Sequence, residues 1–545
     1  MSQPRYTNLD ELSAYKKLQQ LKPALSTGAF LKACLDDQRV KKYECSYQLG
    51  QGNDGPERLS YNYAAKITDD AILSSLATLA DEAGLITKYR EVLNGKIMNP
   101  GENRMVLHHL SRGKCDGDVI DGTTDIYEFY EEQRSRIVEF SLDIHAAAIV
   151  STCGRPFDTV VQVGIGGSDL GPRALFLAIK NYVEASEKKA TRGRGQRMNA
   201  AFISNVDPDD AADVFRGINP ETTMFILVSK SGTTQETLTN EALVIDFLRA
   251  AGVTMPRKHI VCVTSQTSPL AKSTEYLNSF FIDDFIGGRY SSTSAVGGVI
   301  LSLAFGSDIF TELLEGAHAA DLAALNPAPL QNPAMLDALL GLFERNILGY
   351  PMTAILPYSQ ALSRFPAHLQ QLDMESNGKS VNRDGQSLNY QTGPVIFGEP
   401  GTNGQHSFFQ LLHQGTDTIP LQFIGFLHAQ DGTDVQFQGS SSQKKLNANL
   451  AAQIVAFALG KDDTNPNKRF SGGRPSSLLH AKRLSPRVLG ALLAHYENKV
   501  MFQGFLWNVN SFDQEGVQLG KVLTGKVLDG NMSAPLTSYA KLLGI

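Results

Sequence analysis

From Phe157 onward the chain alternates short β-branched runs with helix-length segments, and this rhythm limits the possible folds more than any other feature. Thr159-Val160-Val161-Gln162-Val163 reads as a strand. It ends in Gly164-Ile165-Gly166-Gly167-Ser168-Asp169 and gives way to a helix over 171–182. Further strands are expected at 199–204, 224–228 and 260–264, with a fifth at 279–283 and helices between them. Apolar runs this short, spaced by helices, predict a parallel sheet covered on both faces. In such doubly wound sheets ligands bind beyond the carboxyl ends of the strands. The Gly164 turn and the turn Ser229-Lys230-Ser231-Gly232-Thr233-Thr234 both stand at such ends.

A second rhythm begins after Asn326-Pro327-Ala328-Pro329. Strands are expected at 352–356, 394–397 and 419–426. Helices lie between them, one starting near Pro366 and one from Ser407. With 545 residues, too many for one ordinary core, two α/β domains are expected. The fold class is therefore α/β: two doubly wound, parallel-sheet α/β/α sandwiches. Residues 8–37 read as two amphipathic helices parted near Pro23. Thr68-Asp69-Asp70 opens another, with Ile72, Leu73, Leu76, Leu79 and Ala80 on its apolar face. Residues 125–150 read as one long helix, 462–477 as loop, and Pro486 as the start of the last long helix before a polar tail. The expected divisions are a helical N-terminal segment (1–130) packing on the second α/β domain, a first α/β domain (131–310), a second (311–505) and a C-terminal arm (506–545).

Composition excludes several function classes. The chain is 42% hydrophobic and 19% charged, with net charge −6, so nothing pulls it toward nucleic acid or an anionic membrane. No apolar run approaches the roughly 18 residues of a membrane span, and Met1-Ser2-Gln3-Pro4-Arg5 leads into no apolar signal segment. Cys34, Cys45, Cys115, Cys153 and Cys262 are scattered and include no C-x-x-C, the pattern of reduced, cytoplasmic thiols. The basic run from Lys188 to Arg197 has no aromatic residues and reads as a solvated loop. His108-His109 lacks a third ligand at metal-binding spacing, so no metal is expected.

Chemistry concentrates in a few stretches. Gln370-Gln371-Leu372-Asp373-Met374-Glu375-Ser376-Asn377-Gly378-Lys379 reads as the end of a helix, with Asn377-Gly378 as a left-handed stop. That places Glu375 on the face of Gln371, near a helix C-terminus, where a carboxylate is disfavoured. In a partly dry site this predicts a carboxyl shifted toward neutrality, suited to moving protons. The hydroxyl-rich turn Ser229–Thr234 opens a helix and carries one lysine, a good cradle for a phosphate monoester. A merely well-capped helix is its alternative. It lacks the G-x-x-x-x-G-K-[ST] pattern. The Gly164 turn is half a dinucleotide fingerprint, but Asp169 stands where a third glycine belongs, which favours close approach to a neutral sugar or its phosphate over a pyrophosphate; a tight strand-to-helix turn with no ligand is its alternative. Arg289, in Gly287-Gly288-Arg289-Tyr290-Ser291, can stabilise a developing oxyanion. His406 sits in a glycine-rich loop after a strand, and Lys521 in an unusual polar run near the chain end. Either alone is an ordinary surface residue.

Taken in order, these blocks resemble the glucose-6-phosphate isomerase (phosphoglucose isomerase) family. The stretches beginning at Val163, Ser229, Gly287, Gln371, Gly401 and Ser511 are each similar to a family motif. The resemblance implies two sugar-isomerase-type domains wrapped by the N-terminal segment and the C-terminal arm. It implies a cytoplasmic homodimer with active sites at the subunit interface, and no metal or organic cofactor. The implied reaction interconverts glucose 6-phosphate and fructose 6-phosphate through a cis-enediol. Glu375 would shuttle the proton, and Arg289 with Gly288 would stabilise the enediolate. His406, oriented by Glu236, and Lys521 would open and close the ring. Ser229, Lys230, Ser231, Gly232, Thr233 and Thr234 would hold the phosphate; Gly167, Ser168, Gln371 and Gln514 would position the sugar. The chain departs from the family with Glu515 in place of a usual Trp, Gln518 in place of Glu, Ser292 in place of an apolar residue, and Gly232 in place of an aromatic. Two rivals are a non-catalytic phosphosugar-binding regulator, which would need only the Ser229 turn, and a nicotinamide oxidoreductase resting on the Gly164 turn. Retention of Glu375, Arg289, His406 and Lys521 together weighs against the first, and Asp169 against the second.

Overall fold

The computed structural model describes residues 6–21, 27–52, 55–189 and 197–545. Pro23 and residues 190–196 of the basic run lie outside the described residues.

The first sheet has five parallel strands in the order Asn199–Ile203, Thr159–Val163, Thr223–Val228, Ile260–Thr264, Asn278–Phe281. The strands Thr159–Val163, Thr223–Val228 and Ile260–Thr264 are buried along their whole length, as covered parallel strands must be. From Thr159–Val163 the chain winds first to one side, to Asn199–Ile203, and then to the other, to Thr223–Val228. The strand order therefore reverses between Thr159–Val163 and Thr223–Val228, and ligands of doubly wound sheets bind outside the carboxyl ends at such a reversal. The turns that leave those two ends are Gly164–Asp169 and Ser229–Thr234.

The second sheet runs Glu44–Gly52, Gly55–Asn62, Ser476–Ala481, Leu421–Phe426, Met352–Pro357, Val395–Phe397. Its last four strands are parallel, as expected. Its first two form an antiparallel hairpin that pairs with Ser476–Ala481. The segment expected to be helical thus contributes two strands to this sheet, and the stretch expected as loop through residue 477 already contains the start of one. Elsewhere the expectation matches locally. Asp69 caps the helix Asp70–Glu82 by accepting from the Ile72 amide, and all five predicted apolar positions are buried. The helix expected over 125–150 spans Ile126–His145.

Two helices form the centre of the molecule. Ala295–Phe305 is buried at every residue, and Pro486–Trp507 at every residue but Arg487. Ala295–Phe305 is apolar but for Ser302, which places it inside a core, whereas Pro486–Trp507 buries His495, Glu497, Asn498, Lys499 and Gln503 among its apolar residues. Ala295–Phe305 follows directly from the turn Gly288–Thr293, so the position of Arg289 is set by the most deeply buried helix of the first half.

The helix that carries Glu375 begins with Pro366 in its first turn, as predicted. It then departs from expectation. Residues Gln371–Glu375 form a π-turn, not α-helix, and helical structure runs on to Asn377. Gly378 is not left-handed. Its amide donates to the Met374 carbonyl at 3.0 Å, simply continuing the helical ladder for one more residue. Wide turns of this kind are frequent at functional sites.

Candidate functional site

Arg289 joins the two halves of the site. It is 1% exposed, so every donor it carries must find an acceptor inside the protein. Nε donates to Ser376 Oγ at 2.7 Å, and Nη2 donates to the carbonyls of Ser511 at 2.7 Å and Asp513 at 3.0 Å. Nη1 faces Glu375 Oε2 at 3.3 Å and Gln514 Oε1 at 3.4 Å. The guanidinium therefore pins the end of the π-turn to the segment that starts the C-terminal arm. The Glu375 side chain keeps 21% of its surface open. A carboxylate that reaches solvent, with a fixed cation behind it, is arranged to meet a small polar ligand.

The Gly164 turn closes on this hub. A β-carbon on Gly167 would run into the carbonyl group of Gly288, so only glycine allows the two backbones to touch there. Gln162 holds the turn from below, donating through Nε2 to the Ser168 carbonyl at 2.7 Å. The buried Asp169 carboxylate pairs with Arg173 one turn later, at 2.7 Å, and Arg173 also donates to Ser204 Oγ. Gln371 lies beside Gly166, with its Oε1 buried and without a partner among the described residues.

The Ser229 turn sits at the start of helix Gln235–Ala250. Thr234 is the N-cap residue, yet its side chain makes no capping bond. Its hydroxyl lies 3.0 Å from Ser229 Oγ instead. The first-turn amides are thus left to another acceptor, which argues against a helix that is merely well capped. Thr233 donates through its amide and hydroxyl to Ser231 Oγ, at 3.2 and 3.0 Å. Gly232 adopts φ +68°, which suits glycine. A second layer of hydroxyls supports the turn. Thr264 Oγ1 donates to the Ser229 carbonyl at 2.7 Å, and Ser268 Oγ lies 2.6 Å from Thr264. Lys230 Nζ donates to the Ile286 carbonyl at 3.2 Å, which ties this turn to the Gly287–Arg289 stretch. Burial pushes the Lys230 ammonium below the usual lysine range, with Asp284 at 3.8 Å opposing that shift.

Contacts thus link the turn of Gly167 and Ser168 with Gly288, Arg289, Gln371, Glu375 and Gln514, and Lys230 ties the Ser229–Thr234 turn to the same stretch. The remaining predicted residues stand apart. His406 is exposed on the short turn Asn403–His406, and within the chain no hydrogen bond joins it to Glu236, which is half-buried in the first turn of its helix. Lys521 is exposed on the helix Gln518–Leu528. Glu515 is exposed beside it, while Ser292 is buried against Gly171. His108 and His109 are buried side chains, and His108 stacks on Tyr290 with ring centroids 4.7 Å apart. Among the described residues no cluster of His, Cys, Asp and Glu could hold a metal ion.

Three participants escaped sequence reasoning. Ser376 orients Arg289. Asn377, read only as a helix stop, is fully buried; it donates to the Val500 carbonyl at 3.0 Å and accepts from Ser511 Oγ at 2.7 Å. Thr264 belongs to the hydroxyl-rich run Thr264-Ser265-Gln266-Thr267-Ser268 after a strand, a signal of the same kind as the Ser229 turn.

Comparison with known proteins gives consistent matches. The family profile described as Phosphoglucose isomerase matches residues 62–539. A glucose-6-phosphate isomerase of Treponema denticola is 54% identical over 538 residues, covering 99% of each chain. One of Borreliella afzelii is 46% identical over 540 residues, covering 98% of each. The crystal structure of a glucose-6-phosphate isomerase from Chlamydia trachomatis superposes with a TM-score of 0.89 at 42% identity, over 99% of both chains. Among the described residues no helix is long and apolar enough to cross a membrane.

Proposed function

The chain belongs to the phosphoglucose isomerase family and interconverts glucose 6-phosphate and fructose 6-phosphate, and from that premise we propose how its residues divide the work. Glu375 is the base. In the open-chain aldose its carboxylate takes the proton from C2. The C2–H electrons form the C1=C2 bond, and the aldehyde oxygen becomes an enediol oxygen. O1 takes up a proton as the enediol forms, and returning the carbon-bound proton to C1 while the C2 hydroxyl gives up its own gives the ketose. The barrier lies in the negative charge that gathers on oxygen during this transfer, and a fixed cation that needs no rearrangement lowers it. The observation that carries this assignment is Arg289 Nη1 at 3.3 Å from Glu375 Oε2, its other donors already committed to Ser376, Ser511 and Asp513.

The phosphate is held by Ser229, Lys230, Ser231, Gly232, Thr233 and Thr234, through hydroxyls, helix-start amides and one ammonium. Gly167, Ser168, Gln371 and Gln514 orient the sugar, with Gly288 placing the Arg289 backbone. His406 and Lys521 open and close the ring by exchanging a proton with the ring oxygen and the C1 hydroxyl. A homodimer completes the site, with a second copy bringing His406 to Glu236. The exposure of His406, and the arm's exposed Leu519, Leu528, Tyr539, Leu542 and Leu543, support that reading. The account calls for no metal or organic cofactor, because side chains supply both proton transfer and charge stabilisation. The five free cysteines support a cytoplasmic setting.

The test is steady-state isomerisation in the presence of a chelator. Glu375→Gln is expected to lose about 10³-fold or more in kcat while still binding fructose 6-phosphate. A variant that keeps wild-type kcat removes Glu375 from the chemistry. Mixing Glu375→Gln with His406→Ala after subunit exchange tests the shared site. Partial recovery of activity is expected, since one site of the heterodimer keeps both groups. No recovery from an exchanged mixture places both groups on one chain.

A further inference from the structure

Two cations converge on a single carbonyl at the base of the C-terminal arm. The Asp513 carbonyl accepts from Arg289 Nη2 at 3.0 Å and from Lys379 Nζ at 3.1 Å, and Lys379 also forms an ion pair with the Asp513 carboxylate. The other Asp513 carboxylate oxygen accepts from Asn510 Nδ2 at 2.7 Å. The neighbouring carbonyls are held too, Ser511 by Arg289 and Phe512 by Asn99 Nδ2 at 3.4 Å. Lys379 itself stands on a fixed backbone, since its amide donates to the Asn377 carbonyl at 2.8 Å and its carbonyl accepts from Thr392 Oγ1 at 2.7 Å.

The position of this clamp gives it its importance. Ser511 is buried, Asp513 is half-buried, and from Gln514 onward the chain is largely exposed. Asp513 is thus the last residue before the arm whose backbone the body grips; beyond it Arg289 reaches only the Gln514 side chain. The arm carries Gln514 immediately and Lys521 on its first helix. Lys379 stands four residues beyond Glu375, just past the end of the same helix. Arg289 grips the strap from the side of the base, and Lys379 grips it from the helix end. Without Lys379 the strap would keep its Arg289 and Asn99 contacts but lose its tie to the helix end, and any shift at its root would be magnified at Lys521.

We propose that Lys379 and Asp513 are a positioning pair that fixes the root of the C-terminal arm against the helix of Glu375, and so sets where Gln514 and Lys521 stand relative to the base. Lys379 acts through Asp513, not on substrate, because its ammonium is committed to that residue. The inference rests on the isomerase reading of the site.

The experiment compares Lys379→Met, Lys379→Arg, Asp513→Asn and the Met/Asn double variant by steady-state kinetics with fructose 6-phosphate and by amide hydrogen exchange. A misplacement on the order of 1 Å is enough to cost up to about 100-fold in rate. The expected result is a fall in kcat of about 10-fold or more for Lys379→Met and for Asp513→Asn, with KM little changed. The double variant should fall no further than the worse single, as for residues that act as one unit. Lys379→Arg should recover most of the rate. Exchange should quicken at 511–521 in the Met and Asn variants and stay unchanged in the two sheets. A pair that only adds stability would raise exchange throughout and leave kcat alone, which overturns the proposal. So does a rise in KM confined to Lys379→Met, since that makes Lys379 a substrate ligand. If Lys379→Met does not fold, Asp513→Asn alone decides, by kcat and by exchange at 511–521. A wild-type protein that turns over no sugar phosphate refutes the isomerase reading instead, and the exchange result still judges the clamp.

Discussion

Gly167 and Gly288 touch backbone to backbone, and any side chain on Gly167 would occupy the place of the Gly288 carbonyl. This contact fuses the Gly164 turn of the first sheet to the residue that precedes Arg289. A methyl group there must push the two turns apart, and overpacking of this kind costs about 1–3 kcal/mol. Gly167→Ala is therefore expected to lower the unfolding midpoint by a few degrees and kcat by about 10- to 100-fold, because Arg289 moves with Gly288. Thermal melts and initial rates check both.

Arg289→Lys should be a severe change despite the retained charge. The guanidinium serves Ser376, Ser511, Asp513, Glu375 and Gln514 from one plane, and an ammonium cannot reach that set. The expected loss is about 10²- to 10³-fold in kcat, the range seen when an oxyanion donor is removed. A loss confined to KM would assign Arg289 to ground-state binding.

Lys230 gives an alkaline limb. Burial holds its ammonium below the ordinary lysine range, so with rising pH it loses its charge early, and the phosphate loses an attracting group. The free-enzyme profile, kcat/KM against pH, should fall on the alkaline side. In Lys230→Arg that limb should move beyond reach, because a guanidinium stays charged.

Asp373, in the π-turn with Glu375, is buried with an Oδ1 that has no partner among the described residues, and burial raises its carboxyl to about 6. The raised value means that the folded protein holds this proton more tightly than the unfolded chain does. Its contribution to stability is complete below the ordinary Asp range and is lost as pH climbs through about 6. Asp373→Asn removes that loss. Relative to wild type, the variant should gain stability from pH 4 to pH 7, by up to about 3 kcal/mol. Urea unfolding at fixed protein concentration measures this, and a constant difference across that range contradicts it.

The parts of this architecture that sequence could reveal are those governed by local pattern. Thr159–Val163 and Ile260–Thr264 are short, β-branched and buried on both faces, so their composition announces them. The strands Glu44–Gly52 and Gly55–Asn62 hide because they are largely polar, carry glycines and contain no β-branched residue, and Ser476–Ala481 hides for the same lack. A π-turn differs from an α-turn by one residue in its hydrogen bonds, a difference that apolar spacing at Leu369 and Leu372 does not encode. Turn chemistry made the Ser229 and Gly164 turns visible. The grip of Arg289 on Glu375 and Asp513 spans 86 and 224 residues, and only the fold reveals it. His406 and Lys521 carry no local signal beyond their type, and family resemblance alone singled them out.

The central claim is that Glu375 moves a proton between C2 and C1. The direct measurement is NMR of fructose 6-phosphate in D₂O, with metal chelated and no cofactor added, for wild type beside Glu375→Gln. The account predicts glucose 6-phosphate carrying deuterium at C2 from the wild-type protein and none from the variant. Label appearing at C2 at the same rate with both proteins would contradict it.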